Sequence, residues 1–225
     1  MISSIVISAN KQWVASAEHN GVNGKPTIHI WNSENLLNKA LIKALHRGPI
    51  VSMSFMNNDE ILVTIGTKKP VPLILYRWEH KTIIHSTILW NLPLEIRPRN
   101  NEGNNVIEII TKTKLIEMTI VNDIPQFKDY CSLEGNELGL ESITTGAMFY
   151  INEGALKVAS KVSVLGITGH PDGTVVYWAE GKTPTVQGNY QSLITNIEPL
   201  ADSFIVSTVA GQIYMVTLQL NHSGT

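Results

Sequence analysis

Residues 50–89 read IVSMSFMNNDEILVTIGTKKPVPLILYRWEHKTIIHSTIL and contain four short apolar runs that are separated by polar turns. The runs are Ile50–Phe55, Ile61–Ile65, Leu73–Trp78 and Thr82–Leu89. Short alternating or β-branched runs bounded by Asn, Asp, Gly and Pro are typical of strands. Because strands this short are not stable alone, the stretch predicts one four-stranded sheet that packs its faces against neighbouring sheets.

The same unit recurs along the chain. Trp31 and Tyr76, which end or nearly end the third strands of the first two units, are 45 residues apart. In the fourth unit, Asp172-Gly173 marks a tight hairpin between two apolar runs. Four strands in a repeat of about 45 residues are typical of a propeller blade. We therefore predict an all-β fold, a β-propeller of about five four-stranded units in one segment over residues 1–225, with approximate unit bounds 1–48, 49–90, 91–131, 140–190 and 191–220.

Three stretches fit this repeat less clearly. Leu36–Leu45 has apolar residues at helical spacing, and we predict a loop or short helical turn leading into a strand. Tyr130–Glu141 contains glycines among acidic residues and predicts a loop between units three and four. The first strand of the third unit is predicted at Leu92–Ile96.

The composition supports strands and limits the classes of partner. The chain has 27 Ile, 17 Val and 18 Thr against 11 Ala, and β-branched side chains favour a pleated sheet over a helix. The net charge of −2 is too small to attract a polyanion, so we expect no nucleic-acid binding. The lone Cys131 cannot form an internal disulfide, and no apolar segment is long enough to span a bilayer. We therefore expect a cytoplasmic protein that does not bind membranes.

These units resemble WD-repeat β-propellers, and more narrowly the echinoderm microtubule-associated protein-like family and related cilia- and flagella-associated WD-repeat proteins. As in those families, a long loop precedes a strand ending in Ile-Trp, here within Ala15–Trp31. The next unit closes with Tyr76-Arg77-Trp78. Further matching features are Pro93, Asn105–Ile110, Lys112, Leu115–Met118 and the hairpin from Ile167 to Lys182.

The chain also departs from the family pattern. The Trp-Asp dipeptide is absent, because Asn32, Glu79 and Ala179 follow the three tryptophans that end or follow third strands. Family members usually have more blades, so we expect the chain to need further blades or a partner chain. The resemblance implies a non-catalytic protein-interaction scaffold, associated with microtubules or an axonemal assembly and located at the cytoskeleton or cilium. The alternatives are a general cytoplasmic WD-repeat scaffold of an unrelated complex and a propeller enzyme with a site in its central channel.

No sequence pattern for catalysis, cofactors or metals is present. There is no HExxH, CxxC, phosphate loop or GxSxG, and the carboxylates are dispersed singly. We therefore predict no catalytic residue, cofactor or metal ion. His46 is predicted to hydrogen-bond within its blade, and His170, beside Pro171 in a hairpin turn, to be exposed to solvent.

Basic residues in or near predicted loops are the candidate partner-binding residues. They form three pairs, Lys68 with Lys69, Arg97 with Arg99, and Lys112 with Lys114. On one rim they would form a positive patch suited to an acidic tubulin or axonemal surface. The alternative is that they serve solubility and protect strand edges. The aromatics Trp31, Tyr76, Trp78 and Trp178 are predicted to pack between blades, whereas Trp13 and Trp90 are compatible with either core or surface.

Overall fold

The computed structural model describes residues 1–19, 25–56, 58–101, 104–134, 138–151, 163–179, 183–200 and 203–217. Within these ranges the regular elements are all β-strands, as the composition predicted. None of the residues described forms a helix with the length and apolar character that a membrane crossing requires. The chain forms two compact units, Met1–Ile109 with Glu117–Lys128, and Ile110–Ile116 with Asp129–Thr225.

Nineteen strands lie in the described part of the chain, and each sheet joins strands that are consecutive in sequence. The first sheet contains β1 (Ile2–Ile7), β2 (Trp13–His19), β3 (Pro26–Asn32) and β4 (Asn38–Lys43), and the second contains β5 (Ile50–Met56), β6 (Ile61–Gly66), β7 (Val71–Arg77) and β8 (Thr82–Leu89). The third contains β9 (Glu95–Asn101), β10 (Asn104–Ile110), β11 (Lys114–Val121) and β12 (Ile124–Ser132). The fourth contains β13 (Thr145–Ile151), β14 (Ser163–Gly169), β15 (Thr174–Ala179) and β16 (Thr185–Asn189), and the fifth contains β17 (Ile194–Pro199), β18 (Ser203–Thr208) and β19 (Ile213–Thr217). The predicted all-β fold of about five sheets is confirmed, with three strands in the fifth sheet among the residues described.

Sequence alternation produces a packed layer between the first two sheets. Ala15 pairs with Ile30 and Ala17 with Ile28, and all four side chains are buried. Successive strand residues point to opposite faces, so this one face forms a continuous apolar surface. It packs in one core cluster with second-sheet residues that include Met53, Phe55, Leu62, Tyr76 and Trp78.

The turn between β5 and β6 connects the first two sheets through hydrogen bonds. Asn58 and Asp59 have φ values of 52° and 70°, the left-handed conformation that Asn and Asp tolerate better than most residues. The Asp59 carboxylate accepts hydrogen bonds from the backbone N–H of Ala9 at 3.0 Å and of Asn10 at 3.2 Å. The indole of Trp78 donates to the Asp59 carbonyl at 2.6 Å. Asp59 therefore joins the β1–β2 turn to the second sheet.

The predicted roles of the aromatics are largely confirmed. Tyr76, Trp78 and Trp178 are buried, whereas Trp31 is only half-buried. Trp13 packs edge-on against Trp78, with the ring centroids 5.3 Å apart. It therefore belongs to the core between the first two sheets.

Hairpins and strand bounds correct several predictions from the sequence. The predicted Asp172-Gly173 hairpin is confirmed, with Gly173 at φ 88°. Leu36–Leu45 was predicted to be a loop or short helical turn leading into a strand. Leu36 and Leu37 do precede a strand, but that strand already occupies Asn38–Lys43, where alternate burial of Ala40 and Ile42 stabilises it. The first strand of the third sheet is Glu95–Asn101, three residues later than predicted. The predicted loop at Tyr130–Glu141 begins later than expected, because β12 continues to Ser132.

Candidate interaction surface

Three loops meet at one end of the second sheet, and they contain the Lys68–Lys69 pair. They are residues 44–49 before β5, residues 67–70 between β6 and β7, and residues 90–94 after β8. The strand pairing places the three loops at the same end, because Ile50 at the start of β5 pairs with Gly66 at the end of β6, and Val71 at the start of β7 pairs with Leu89 at the end of β8. We call these three loops the basic loop end.

Backbone bonds and close packing hold the first two loops against each other. The N–H of Thr67 donates to the Pro49 carbonyl at 3.0 Å, and the Thr67 hydroxyl donates to the same oxygen at 3.3 Å. Gly48 is buried beside the Lys68 stem, where a Cβ added to it would lie 3.4 Å from Lys68 Cγ. The base of the Lys68 side chain is therefore held in place while its ammonium group remains exposed.

His46 lies beneath this surface and is structural. Its Nε2 lies 2.7 Å from the Thr64 hydroxyl, so the predicted hydrogen bond within the blade is confirmed. Gly66 packs so closely against the ring that an added Cβ would be 2.7 Å from His46 Nδ1. Burial lowers the pKa of His46 to about 4, so the imidazole is neutral at physiological pH.

The surface of the basic loop end carries three cations and no anion. Arg47, Lys68 and Lys69 are exposed, and the three loops contain no Asp or Glu. Within the described residues, none of these three side chains forms a hydrogen bond or an ion pair. Their charges therefore face solvent without a local counter-charge, on a protein whose net charge is −2.

Apolar side chains continue along the third of these loops. Trp90 is 94% exposed, and Ile88, Leu92 and Leu94 are 54%, 41% and 43% exposed. Trp90 follows Leu89, which pairs with Val71 directly after the loop that contains Lys68 and Lys69. The aromatic ring and the lysines thus share one end of the sheet.

The remaining predicted site residues lie in different surroundings. Arg97 lies in β9 and pairs with Glu95, with Nε 2.7 Å from Oε1, and the side chain of Arg99 is outside the described residues. Lys114 pairs with Asp129 at 2.7 Å, and this hydrogen bond raises the pKa of Lys114. Lys112 is exposed in the turn between β10 and β11, in the second compact unit. The attraction of Arg97 and Lys114 for a partner is therefore reduced by their own carboxylates.

In the fourth sheet, the prediction that His170 is exposed was wrong. It is 1% exposed, because Nδ1 donates to the Ser142 carbonyl at 2.7 Å and Nε2 lies 2.9 Å from the Thr168 hydroxyl. The Trp178 indole donates to that hydroxyl at 2.8 Å. Burial lowers the pKa of His170. Both ring nitrogens of His170 are therefore engaged, and this chain of hydrogen bonds holds the hairpin in place.

A shallow depression of about 450 Å³ adjoins the same hairpin, and its lining is neutral. The lining combines two tyrosines with amide, hydroxyl and methyl side chains: Asn189, Tyr190, Gln191, Ser192, Ala210, Gln212 and Tyr214. It contains no carboxylate or histidine that could serve as an acid or base. In the described part of the chain, no three His, Cys, Asp or Glu side chains are close enough to hold a metal ion.

The sequence did not single out Arg47, and it left Trp90 compatible with either core or surface. Arg47 directly follows His46, so its position next to a residue already predicted to be structural was the one feature of the sequence that could have indicated it. Trp90 comes directly after the last strand of the second unit, where the local sequence does not determine whether a side chain is buried. Only the pairing of β7 with β8 brings it to the lysine loop.

Comparisons with known proteins identify the fold. No family model matches the chain, and no curated protein matches it. A solved structure, the β-propeller domain of Cps50 (Swd1) from Myceliophteria thermophila, is similar with a TM-score of 0.63 and 13% sequence identity. The match covers 100% of this chain and 68% of that one. The described sheets and this similarity together show that the chain has an all-β fold, that of a β-propeller.

Proposed function

We propose that the chain is a non-catalytic protein-interaction scaffold that binds partners through loops at the ends of its sheets. The observation that carries this proposal is the basic loop end, where three cations without a partner among the described residues share one end of a sheet with the exposed Trp90. Propellers commonly present binding residues on loops that a stable sheet framework positions. The buried histidines and the neutral depression give no comparable support to an enzyme with a channel site.

The partner proposed is an acidic protein surface, specifically that of tubulin polymers or an axonemal protein. Two independent considerations support it: the family resemblance of the sequence, and the positive charge of Arg47, Lys68 and Lys69. Each exposed cation contributes at most ~1 kcal/mol, so three contribute at most ~3 kcal/mol. Binding by this segment should therefore be weak and should decrease as salt shortens the Debye length of ~8 Å. A location at the cytoskeleton or cilium belongs to the same proposal.

Co-sedimentation with microtubules across a salt series tests the tubulin proposal. The test variant is Lys68→Glu/Lys69→Glu, and the control is Lys39→Glu/Lys81→Glu, which changes the net charge equally at exposed sites. Lys81 lies in the β7–β8 turn, at the opposite end of the second sheet from Lys68. We expect the wild type and control to pellet at low salt and the test variant to remain largely in solution. If the wild type does not pellet, or if both variants pellet equally, tubulin is not the partner and a general cytoplasmic scaffold is the remaining proposal.

We also propose that further blades, or a partner chain, cover apolar faces of the first and fifth sheets. In the first sheet Ile5 and Ile7 are 60% and 58% exposed, and in the fifth sheet Ile213 and Met215 are 74% and 72% exposed. Blade faces normally pack on neighbouring blades, and exposed apolar faces of sheets favour association. Sedimentation velocity at increasing protein concentration should show association that Ile213→Ser/Met215→Ser reduces. A stable monomer at all concentrations would contradict this proposal.

A further inference from the structure

Trp90 is the most exposed large aromatic side chain in the described part of the chain. It is 94% exposed, and Ile88 near the end of β8 and Leu92 and Leu94 on the connection to β9 are each more than two-fifths exposed. Single exposed apolar residues are ordinary, but a run of four along one segment is a feature of binding surfaces. The run therefore requires an explanation beyond connecting β8 to β9.

The charged residues near these four apolar side chains indicate what kind of partner would bind there. Lys68 and Lys69 lie in the loop beside this run, and Arg47 lies at the same end of the sheet near its other edge. None of the three has a carboxylate partner among the described residues. The next carboxylate along the chain, Glu95, is engaged by Arg97 at 2.7 and 3.1 Å. The surface thus combines an apolar strip with uncompensated positive charge, and an occupant that is both apolar and acidic complements it.

We propose that the strip formed by Ile88, Trp90, Leu92 and Leu94, with Lys68 and Lys69 beside it and Arg47 at the same end of the sheet, is a docking site for an acidic peptide segment that carries apolar anchor residues. Trp90 is the anchor contact, because a large rigid ring buries much area at little cost in side-chain entropy. The cations lie at the rim, where they steer the encounter and select acidic segments. This inference deepens the proposed scaffold function, but it does not depend on tubulin being the partner.

Two other anionic partners fit the surface less well. Binding of nucleic acid requires a stronger positive potential than three cations provide on a chain whose net charge is −2. A membrane surface also attracts tryptophan and lysine, but stable attachment takes a larger apolar face than one short connection supplies. Both partners serve as competing outcomes of the test below.

The test measures binding of a fluorescent synthetic peptide by anisotropy, with the full chain. The probe is a short peptide in which glutamates alternate with leucine and phenylalanine, and its control replaces the apolar residues with serine. The variants are Trp90→Ala, Lys68→Glu/Lys69→Glu and Phe127→Ala, a control at another exposed aromatic in β12. Because Trp90 is 94% exposed, its removal should leave the thermal unfolding midpoint unchanged.

We expect Trp90→Ala to weaken binding of the apolar acidic peptide about ten-fold or more at every salt concentration. The lysine variant should weaken it mainly at low salt, and Phe127→Ala should bind like the wild type. The serine peptide should bind weakly and should not distinguish the wild type from Trp90→Ala.

Equal binding of this peptide by the wild type and Trp90→Ala would overturn the proposal. Tighter binding of anionic phosphatidylserine vesicles or of oligouridylate than of the peptide would also overturn it. Peptide binding that depends on Trp90, together with no co-sedimentation with microtubules, would support the docking site. It would exclude tubulin as the partner without affecting the docking proposal.

Discussion

Removal of the Asp59 carboxylate should destabilise the protein by a predictable amount, because this side chain connects two sheets. Its two oxygens accept hydrogen bonds from the N–H groups of Ala9 at 3.0 Å and Asn10 at 3.2 Å, and the residue is 5% exposed. A hydrogen bond to a charged group contributes about 1.5–3 kcal/mol. Ala9 and Asn10 are themselves exposed, so water can replace part of what is lost, and the lower value applies to each bond. The two bonds together should contribute about 3 kcal/mol to the free energy of unfolding.

Three substitutions of Asp59 separate the contribution of its hydrogen bonds to the free energy of unfolding from the contribution of its backbone conformation. Asp59 has φ 70°, where alanine is strained by about 1 kcal/mol and glycine is not. We therefore expect losses of about 3 kcal/mol for Asp59→Gly and about 4 kcal/mol for Asp59→Ala. Asp59→Asn tolerates the conformation and keeps one acceptor oxygen, so its loss should be about 1–2 kcal/mol.

Urea denaturation followed by circular dichroism measures these differences. The order Asn, Gly, Ala of increasing destabilisation is the essential result, because it requires both the acceptor and the left-handed backbone. If Asp59→Gly loses less than about 1 kcal/mol, the inter-sheet hydrogen bonds are not stabilising in solution and the reasoning is refuted.

Three further predictions concern burial and packing. Burial lowers the pKa of His46 to about 4, below its unfolded value of 6.5, so stability should be complete above pH 6.5 and should fall by ~3 kcal/mol as the pH decreases towards 4. Urea titrations at pH 7.0 and 4.5 should show this dependence, and His46→Gln should reduce it. Gly169→Ala should destabilise by about 1–3 kcal/mol, because its Cβ would lie 2.5 Å from Ile194 Cγ2, whereas Gly188→Ala has space and should change the unfolding midpoint little. Burial raises the pKa of Cys131 to about 12, so a thiol reagent at pH 8 should modify it only after unfolding, and rapid labelling of the native protein would contradict its burial.

Much of the fold follows from local sequence. The alternation in Ile50–Phe55 and the turn at Asp172-Gly173 depend on neighbouring residues, so strands and hairpins were predictable there. The stretch Asn38–Lys43 was not predictable in this way, because its apolar residues also fit a helical period. Its conformation is set by pairing with β3 and by burial of Ala40 and Ile42 against the neighbouring sheet.

The sequence by itself determined the strand content, the repeat of about 45 residues, the near-neutral charge and the candidate lysines at positions 68 and 69. The tertiary structure alone decided which of these residues act together. His170 is buried with its two ring nitrogens hydrogen-bonded to Ser142 and Thr168, and the charge of Arg97 is compensated by Glu95. Trp90 and Lys69 lie at the same end of the sheet because β7 pairs with β8, although the two residues are 21 positions apart in the sequence. Alternation and turn chemistry act between neighbours in sequence, whereas burial and the compensation of charge depend on which strands pair and which faces pack.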